Sequence, residues 1–402
     1  MNASPQAPAP PPELEETYTL RSTLYERIGG FAVPLAATLL AFFIGGLVVL
    51  ITGHNPITAY RAIFEGAGFN WPWLWLTGQD TTAAGRDLQQ TLRAATPLIL
   101  AALAVAFSFR CGLFNIGGQG QYWVGFIFAL LAGTHFEGLS RPLHVALCIL
   151  AGIIGGAFWG GIAGFLRATV GAHEVITTIM LNWIALYVGK WLFELNGPLQ
   201  GAAKELPRSE IIFDSATLWI LWKPYLHFGL LFAIVALFIY FVLLNRTTLG
   251  YEVRAVGFNA EAARYSGISV RWNYFLALAI SGAFAGLAGT VDLLGVKHSV
   301  DQSDFDTNFV AFTAIAVALL GRNKAVGIFF AGILFAGLSV GTSSRNLDPE
   351  VFEPALATDL ATMIQALVIF FVGADLLIVY IWRLRRHLRL RRAGPVEEPA
   401  PS

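Results

Sequence analysis

Charge is what this 402-residue chain has least of. Asp, Glu, Lys and Arg make up 13% of it, where a soluble chain carries about a quarter. With apolar residues at 56%, a water-soluble globular domain is excluded. The two signs balance at 26 residues each, so net charge names no partner, and no nucleic acid is expected. Only two cysteines occur, Cys111 and Cys148, both in or beside apolar segments. They make no CxxC or metal-ligand spacing and read as small buried apolar residues.

The motifs of chemistry are absent as well. There is no GxxxxGK[ST] phosphate loop, no GxGxxG after a strand, and no Ser/His/Asp or paired-carboxylate arrangement. His173 and Glu174 open an HExxH-like stretch, but Thr177 stands where the second histidine belongs. Asp301, Asp304 and Asp306 lack the EF-hand pattern and its glycine, and are expected in a solvated outer loop. The expectation is therefore no catalytic residue, no metal site and no cofactor held by this chain.

Long apolar runs are what is present. They lie at about 29–51, 92–109, 117–133, 143–165, 175–193, 227–244, 273–294, 307–320, 325–343 and 359–382. The reading is an all-α, polytopic integral membrane protein of about ten transmembrane helices. Residues 1–28 are Pro- and Ala-rich, then acidic, and read as a disordered cytoplasmic tail. Residues 29–382 form the transmembrane domain, and 383–402 a basic, then Pro/Glu-containing, cytoplasmic tail. The first apolar run is long enough to span and is read as a retained helix, not a secretory signal.

Basic residues set the expected orientation. With both termini inside, the inner segments hold Arg21, Arg27, Arg110, Arg167, Arg246, Arg254, Arg264, Arg271, Arg322 and Lys324, and the C-terminal tail adds six arginines. That excess fits the positive-inside rule and an N-in/C-in topology. Trp71, Trp73 and Trp75, with Trp219 and Trp222, then fall in the two long outer segments, at headgroup level.

Three further patterns stand out. Gly152, Gly156, Gly160 and Gly164 recur every four residues, as do Gly282 with Gly286 and Gly337 with Gly341. Small residues at that spacing let helix backbones approach closely in lipid. The stretch RCGLFNIGGQGQY, from Arg110 to Tyr122, interrupts an apolar hairpin with Asn115, Gln119 and Gln121. It fits either a broken helix lining a translocation path or an ordinary cytoplasmic turn. Thr177 and Asn182, in HEVITTIMLN, either face a polar solute or bond within and between helices. Asp375 and Gln365 are isolated polar residues of the last apolar run.

The third pattern is 245–271, NRTTLGYEVRAVGFNAEAARYSGISVR, a polar stretch between two apolar runs. Asn259 is placed to cap a short helix through Glu261, Ala262 and Ala263, and Gly267 to end it. A helix of about two turns is unstable alone in water, so it needs a surface to lie on. A ten-span chain with a polar interior and no phosphate loop must also borrow its energy. Ionisable residues are sparse within the spans, which favours a partner ATPase over an ion gradient.

The same stretch resembles the cytoplasmic loop of ABC importer permeases of the ribose and branched-chain amino acid type. GLFNIGGQGQYWVG at 112–125, TTIMLNWIALYV at 177–188 and FVAFTAIAVALLGRNKAVGI at 309–328 are similar to the nucleoside permeases within that family. The resemblance covers about residues 30–385, with Gln119 a departure where many relatives carry Glu. It implies that Gly257, Asn259, Glu261, Ala262, Ala263 and Gly267 form the ATPase-coupling element. Asn115, Gln119, Gln121, Thr177, Asn182 and Thr313 are the candidate translocation-path residues. The resemblance also implies an ABC ATPase carrying ATP and Mg, a second and different permease, and an extracytoplasmic solute-binding protein. The expected place is the inner membrane of a bacterium, and the expected cargo nucleosides. Simple-sugar permease, ion-coupled carrier and membrane scaffold are the alternatives.

Overall fold

Backbone polar groups find no partner in lipid, so an apolar run long enough to span must bond to itself, as a helix does. The computed structural model describes residues 20–307, 309–343 and 353–373, and within them each apolar run is helical over most of its length. The helices are α1 (Leu20–Ile51), α2 (Pro56–Gly66), α3 (Trp71–Leu76), α4 (Thr82–Arg110), α5 (Gly118–His135), α6 (Arg141–Val170) and α7 (Glu174–Phe193). They continue as α8 (Gly229–Arg246), α9 (Thr248–Phe258), α10 (Ala260–Tyr265), α11 (Val270–Asp292), α12 (Asp304–Thr307), α13 (Val310–Leu320), α14 (Ala325–Gly341) and α15 (Pro354–Gly373). One two-stranded antiparallel ribbon, β1 (Ile220–Trp222) with β2 (Leu226–His227), precedes α8. Most of the two tails, with Asp375 and the six tail arginines, lies outside the described residues.

Among the described residues, seven helices are long and apolar enough to cross a membrane: α1, α4, α6, α7, α8, α11 with its extension to Lys297, and α15. The other three apolar runs give helices of a different kind. α14 has 17 residues. α5 opens with the polar sequence GQGQ. α13 has 11 residues, about 16 Å of helix against a hydrocarbon core of about 30 Å.

The centre of the fold is α4, where every residue from Ala95 to Ser108 is buried. Helix α11 packs on it and on α6. The α6–α11 seam is built from the glycine stripes. A Cβ on Gly156 would overlap the carbonyl oxygen of Gly282, one on Gly286 that of Gly152, and one on Gly160 that of Leu278. Gly125 of α5 meets the Cα of Gly286 in the same seam. The Gly337–Gly341 stripe brings α14 against the α2 region, at Phe69 and the carbonyl of Ile63.

The acidic loop expected outside differs from expectation at Asp304. It is buried rather than solvated, and its carboxylate pairs with Lys297 at 2.5 Å. A buried carboxylate needs a partner, and Lys297 reaches it from the π turn Leu293–Lys297 that ends α11. Phe305 is anchored beside it, its ring 5.6 Å from Trp123 and 6.0 Å from Phe193. Asp306 stays exposed and pairs with Lys190 at 2.6 Å.

Candidate functional site: a docking loop, a polar junction and a cavity

The loop expected to dock a partner holds two helices, not one. Thr247 Oγ1 accepts from Gly250 N at 3.1 Å and caps α9. Asn259 Oδ1 accepts from Ala262 N at 3.0 Å and caps α10, and Gly267, at φ +82°, ends the turn after it. Ala263 is buried against the rest of the chain. Glu261 is exposed and pairs with Arg264 at 3.4 Å. Sequence reasoning missed α9 and the aromatics around it. Phe258, the last residue of α9, is 95% exposed, and Tyr265, the last residue of α10, 91%. A cleft between α9 and α10 is lined by Tyr251, Phe258, Ala262 and Ser266. Exposed large aromatics grouped on a polar loop are the composition of a protein-binding hot spot. Their presence in an otherwise polar run was the available signal.

Gly257 ties this loop to the membrane domain, lying directly on the backbone of Arg110–Gly112. From there the chain runs non-helically to Gly117 before α5 begins. The polar residues of this interruption satisfy one another. Asn115 Nδ2 donates to Gln121 Oε1 at 2.8 Å and to Ser281 Oγ at 2.7 Å, and its Oδ1 accepts from Gly117 N at 2.9 Å. Ser281 Oγ donates in turn to the Ala104 carbonyl at 2.6 Å. Asn182 of α7 accepts from Gly120 N at 2.8 Å and donates to the Ile116 carbonyl at 2.9 Å. Gln119 Oε1 accepts from Ala311 N at 3.0 Å, capping the start of the short helix α13. Thr177 donates back to the His173 carbonyl at 3.1 Å.

A cavity of about 370 Å³ opens where α4, α11, α13, α14 and α15 converge. Its polar lining is Arg93, Asp292, Thr313, Ser339 and Gln365, and Phe309 and Phe335 contribute aromatic faces. Asp292 also accepts from Tyr122 Oη at 2.5 Å, and Gln365 Nε2 donates to the Phe335 carbonyl at 3.3 Å. Of the residues expected on the path, Thr313 lines this cavity, while Asn115, Gln119, Gln121, Thr177 and Asn182 do not. Arg93, Ser339 and Gln365 were not singled out for it. They sit on three helices far apart in sequence, and only packing brings them together.

A volume of this size, mostly apolar with a few convergent polar groups, suits a small polar organic solute. A helical membrane protein with such a cavity, and a polar two-helix loop between its apolar segments, has the build of a transport subunit. Residues 88–373 match the family described as "Branched-chain amino acid transport system / permease component", and the chain belongs to that family.

Among its relatives is the guanosine ABC transporter permease protein NupP of Bacillus subtilis, 35% identical, the match covering 89% of this chain and 97% of that one. The nucleoside ABC transporter permease protein NupB of Lactococcus lactis is 34% identical over 86% of this chain and 91% of its own. The glucose ABC transporter permease protein TsgB13 of Haloferax volcanii is 36% identical over 85% and 87%. The permeases NupQ and NupC of the same two bacteria match more distantly. No solved structure matches the chain.

Proposed function

We propose that this chain is the pathway-forming permease of an ATP-driven importer of nucleosides, set in the bacterial inner membrane with both termini in the cytoplasm. The observation that carries the reading is similarity along nearly the whole chain to permeases whose names specify guanosine and nucleosides. The cavity between α4, α13, α14 and α15 is the path, and about ten helices cross the membrane, α13 among them as a half-length one. The solute meets the hydroxyl of Thr313, the amide of Gln365 and the rings of Phe309 and Phe335, groups that suit a sugar hydroxyl and a planar base. ATP and Mg reside on a partner ATPase docked at 245–271, and an extracytoplasmic binding protein delivers the solute. The second permease is a different chain, as the pairs NupP with NupQ and NupB with NupC suggest.

Uptake of radiolabelled guanosine tests this. It should be saturable, lost on deleting this permease, and lost equally on deleting the ATPase. Guanosine uptake that survives loss of the ATPase would sink the ABC reading. The Haloferax relative supports a sugar as second reading. Glucose uptake that depends on this permease, with no dependence for guanosine, would establish it.

A further inference from the structure

Two charged side chains line the cavity of the proposed path: Asp292, the last residue of α11, and Arg93 on α4. Asp292 is only 8% exposed, and a carboxylate that far from water needs partners. Tyr122 Oη donates to its Oδ2 at 2.5 Å, which leaves Oδ1 for the cavity. Lys297, five residues further on, is taken by Asp304 at 2.5 Å. Arg93 is half-buried, and its guanidinium lies 5.5 Å from the centroid of the Tyr225 ring. Tyr225 is fixed in turn, its backbone N–H donating to Gln89 Oε1 at 3.0 Å. Among the described residues neither Asp292 nor Arg93 enters an ion pair. Both heads are therefore placed by neighbours that leave hydrogen-bonding capacity open to a solute.

The two heads ask for opposite things. An ionised carboxylate only accepts, and a guanidinium only donates. A sugar hydroxyl does both, so this pair cannot tell one hydroxyl from another. A nucleobase has fixed donors and acceptors. Guanine carries adjacent donors, N1–H and N2–H, on one side and adjacent acceptors, O6 and N7, on the other, where a guanidinium binds both at once. Adenine sets a single amine between two acceptors, an arrangement that suits an amide side chain instead. Phe309 adds an aromatic face to the same cavity, against which a planar base can stack.

We propose that Asp292 and Arg93 are specificity-determining residues of the path and select a guanine base. Asp292 accepts from the N1–H/N2–H edge and Arg93 donates to the O6/N7 edge, while Tyr122 is a positioning residue that holds the carboxylate. The inference rests on the nucleoside reading above. It makes the permease itself a filter for the solute, in addition to the binding protein. A site built to hydrogen-bond a given group rejects the analogue that lacks it, because its own buried polar groups are then left unpaired.

The test measures uptake of labelled guanosine, inosine and adenosine by cells carrying the complete importer, with the permease alone varied. Asp292→Asn keeps an oxygen for Tyr122 but exchanges an acceptor for a donor. It should raise the half-maximal concentration for guanosine about ten-fold or more, while adenosine keeps its wild-type value or improves on it. Inosine, which has N1–H and O6 but no N2 amine, should fall between the two. Arg93→Gln should weaken guanosine by a similar factor and spare adenosine. Its half-buried position makes it the decisive variant if blotting shows that Asp292→Asn does not reach the membrane. An equal loss for guanosine and adenosine in the variants that reach the membrane would overturn the assignment, leaving both residues a structural role. Guanosine uptake unchanged in them would overturn it as well. A wild-type importer that carries no nucleoside would instead defeat the nucleoside reading, and this inference with it.

Discussion

Gly257 and Gly112 touch backbone to backbone: a Cβ built on Gly112 would sit 3.3 Å from the Cα of Gly257. From the other side, a Cβ on Gly257 would overlap the carbonyl oxygen of Arg110. The C-terminal end of α9 is thus pressed onto the point where α4 stops and the non-helical segment leading to α5 begins. Cys111 Sγ, 3.8 Å from the Asn273 carbonyl, and Glu252, which accepts from Asn273 Nδ2 at 3.0 Å, extend the contact to the start of α11.

Gly257→Val must force these backbones apart. The expected result is a roughly ten-fold or greater loss of solute uptake, in the range of ordinary coupling energies. The amount of permease in the membrane should stay near wild type, since the change lies outside the bundle core. Quantitative blotting beside labelled-guanosine uptake separates the two effects. Uptake at the wild-type rate would mean that the contact carries no motion.

The loop proposed to dock the ATPase makes a second prediction. Phe258 and Tyr265 are almost wholly exposed, so truncating them removes little folded-state packing. Phe258→Ala and Tyr265→Ala should each weaken ATPase association by roughly ten-fold or more, the cost of losing a buried aromatic anchor. Glu261→Arg should abolish docking and transport by placing a second cation beside Arg264, with insertion unaffected. Pull-down of the ATPase with each variant measures this. If all three bind normally, the coupling surface lies elsewhere.

How far the sequence reaches can be judged from particular residues. The glycine stripe of α6 was legible because close helix packing demands small residues at four-residue spacing, whatever the partner. Which helix it meets was not legible, for that depends on tertiary arrangement. Asn259 and Gly267 could be placed because capping is local chemistry. Phe258 and Tyr265 were passed over because their place in a polar run does not say whether the rings pack against the loop or face outward, and both face outward. Asp304 was read as solvated because nothing nearby in sequence shows that a π turn brings Lys297 back to it. The cavity was the least legible feature, because Arg93, Asp292, Thr313, Ser339 and Gln365 come from five different helices.

The α6–α11 seam predicts a steep size dependence. Gly156→Ala already places a methyl on the Gly282 carbonyl, and Gly156→Leu has no room at all. Overpacking of this kind costs about 1–3 kcal/mol or more. Gly156→Leu should therefore reduce the yield of monodisperse permease severely, and Gly156→Ala less so. On the same helix Phe158 is 60% exposed, so Phe158→Leu should leave the yield unchanged. Fluorescence-detected size exclusion ranks the three. An equal yield for Gly156→Leu and Phe158→Leu would show that the seam tolerates separation.

Two groups of polar residues lie within the helical bundle, and they should fail in different ways. Asn115 and Gln119 are fully buried and bonded to other protein groups. Removing either leaves partners unsatisfied, at about 1–3 kcal/mol each. Asn115→Ala and Gln119→Leu should thus lower thermal stability, with uptake falling in proportion to the folded protein that remains. Gln119→Glu should be milder, because a carboxylate oxygen can accept the same bond from Ala311 N. Thr313 and Gln365 instead present groups to the cavity. Thr313→Val and Gln365→Leu should keep stability near wild type but raise the concentration needed for half-maximal uptake, as expected when a solute contact is lost. Melting temperature and uptake kinetics measured on all five variants decide the matter. If Asn115→Ala raises the half-maximal concentration at unchanged stability while Thr313→Val does nothing, the path runs through the polar junction and not through the cavity.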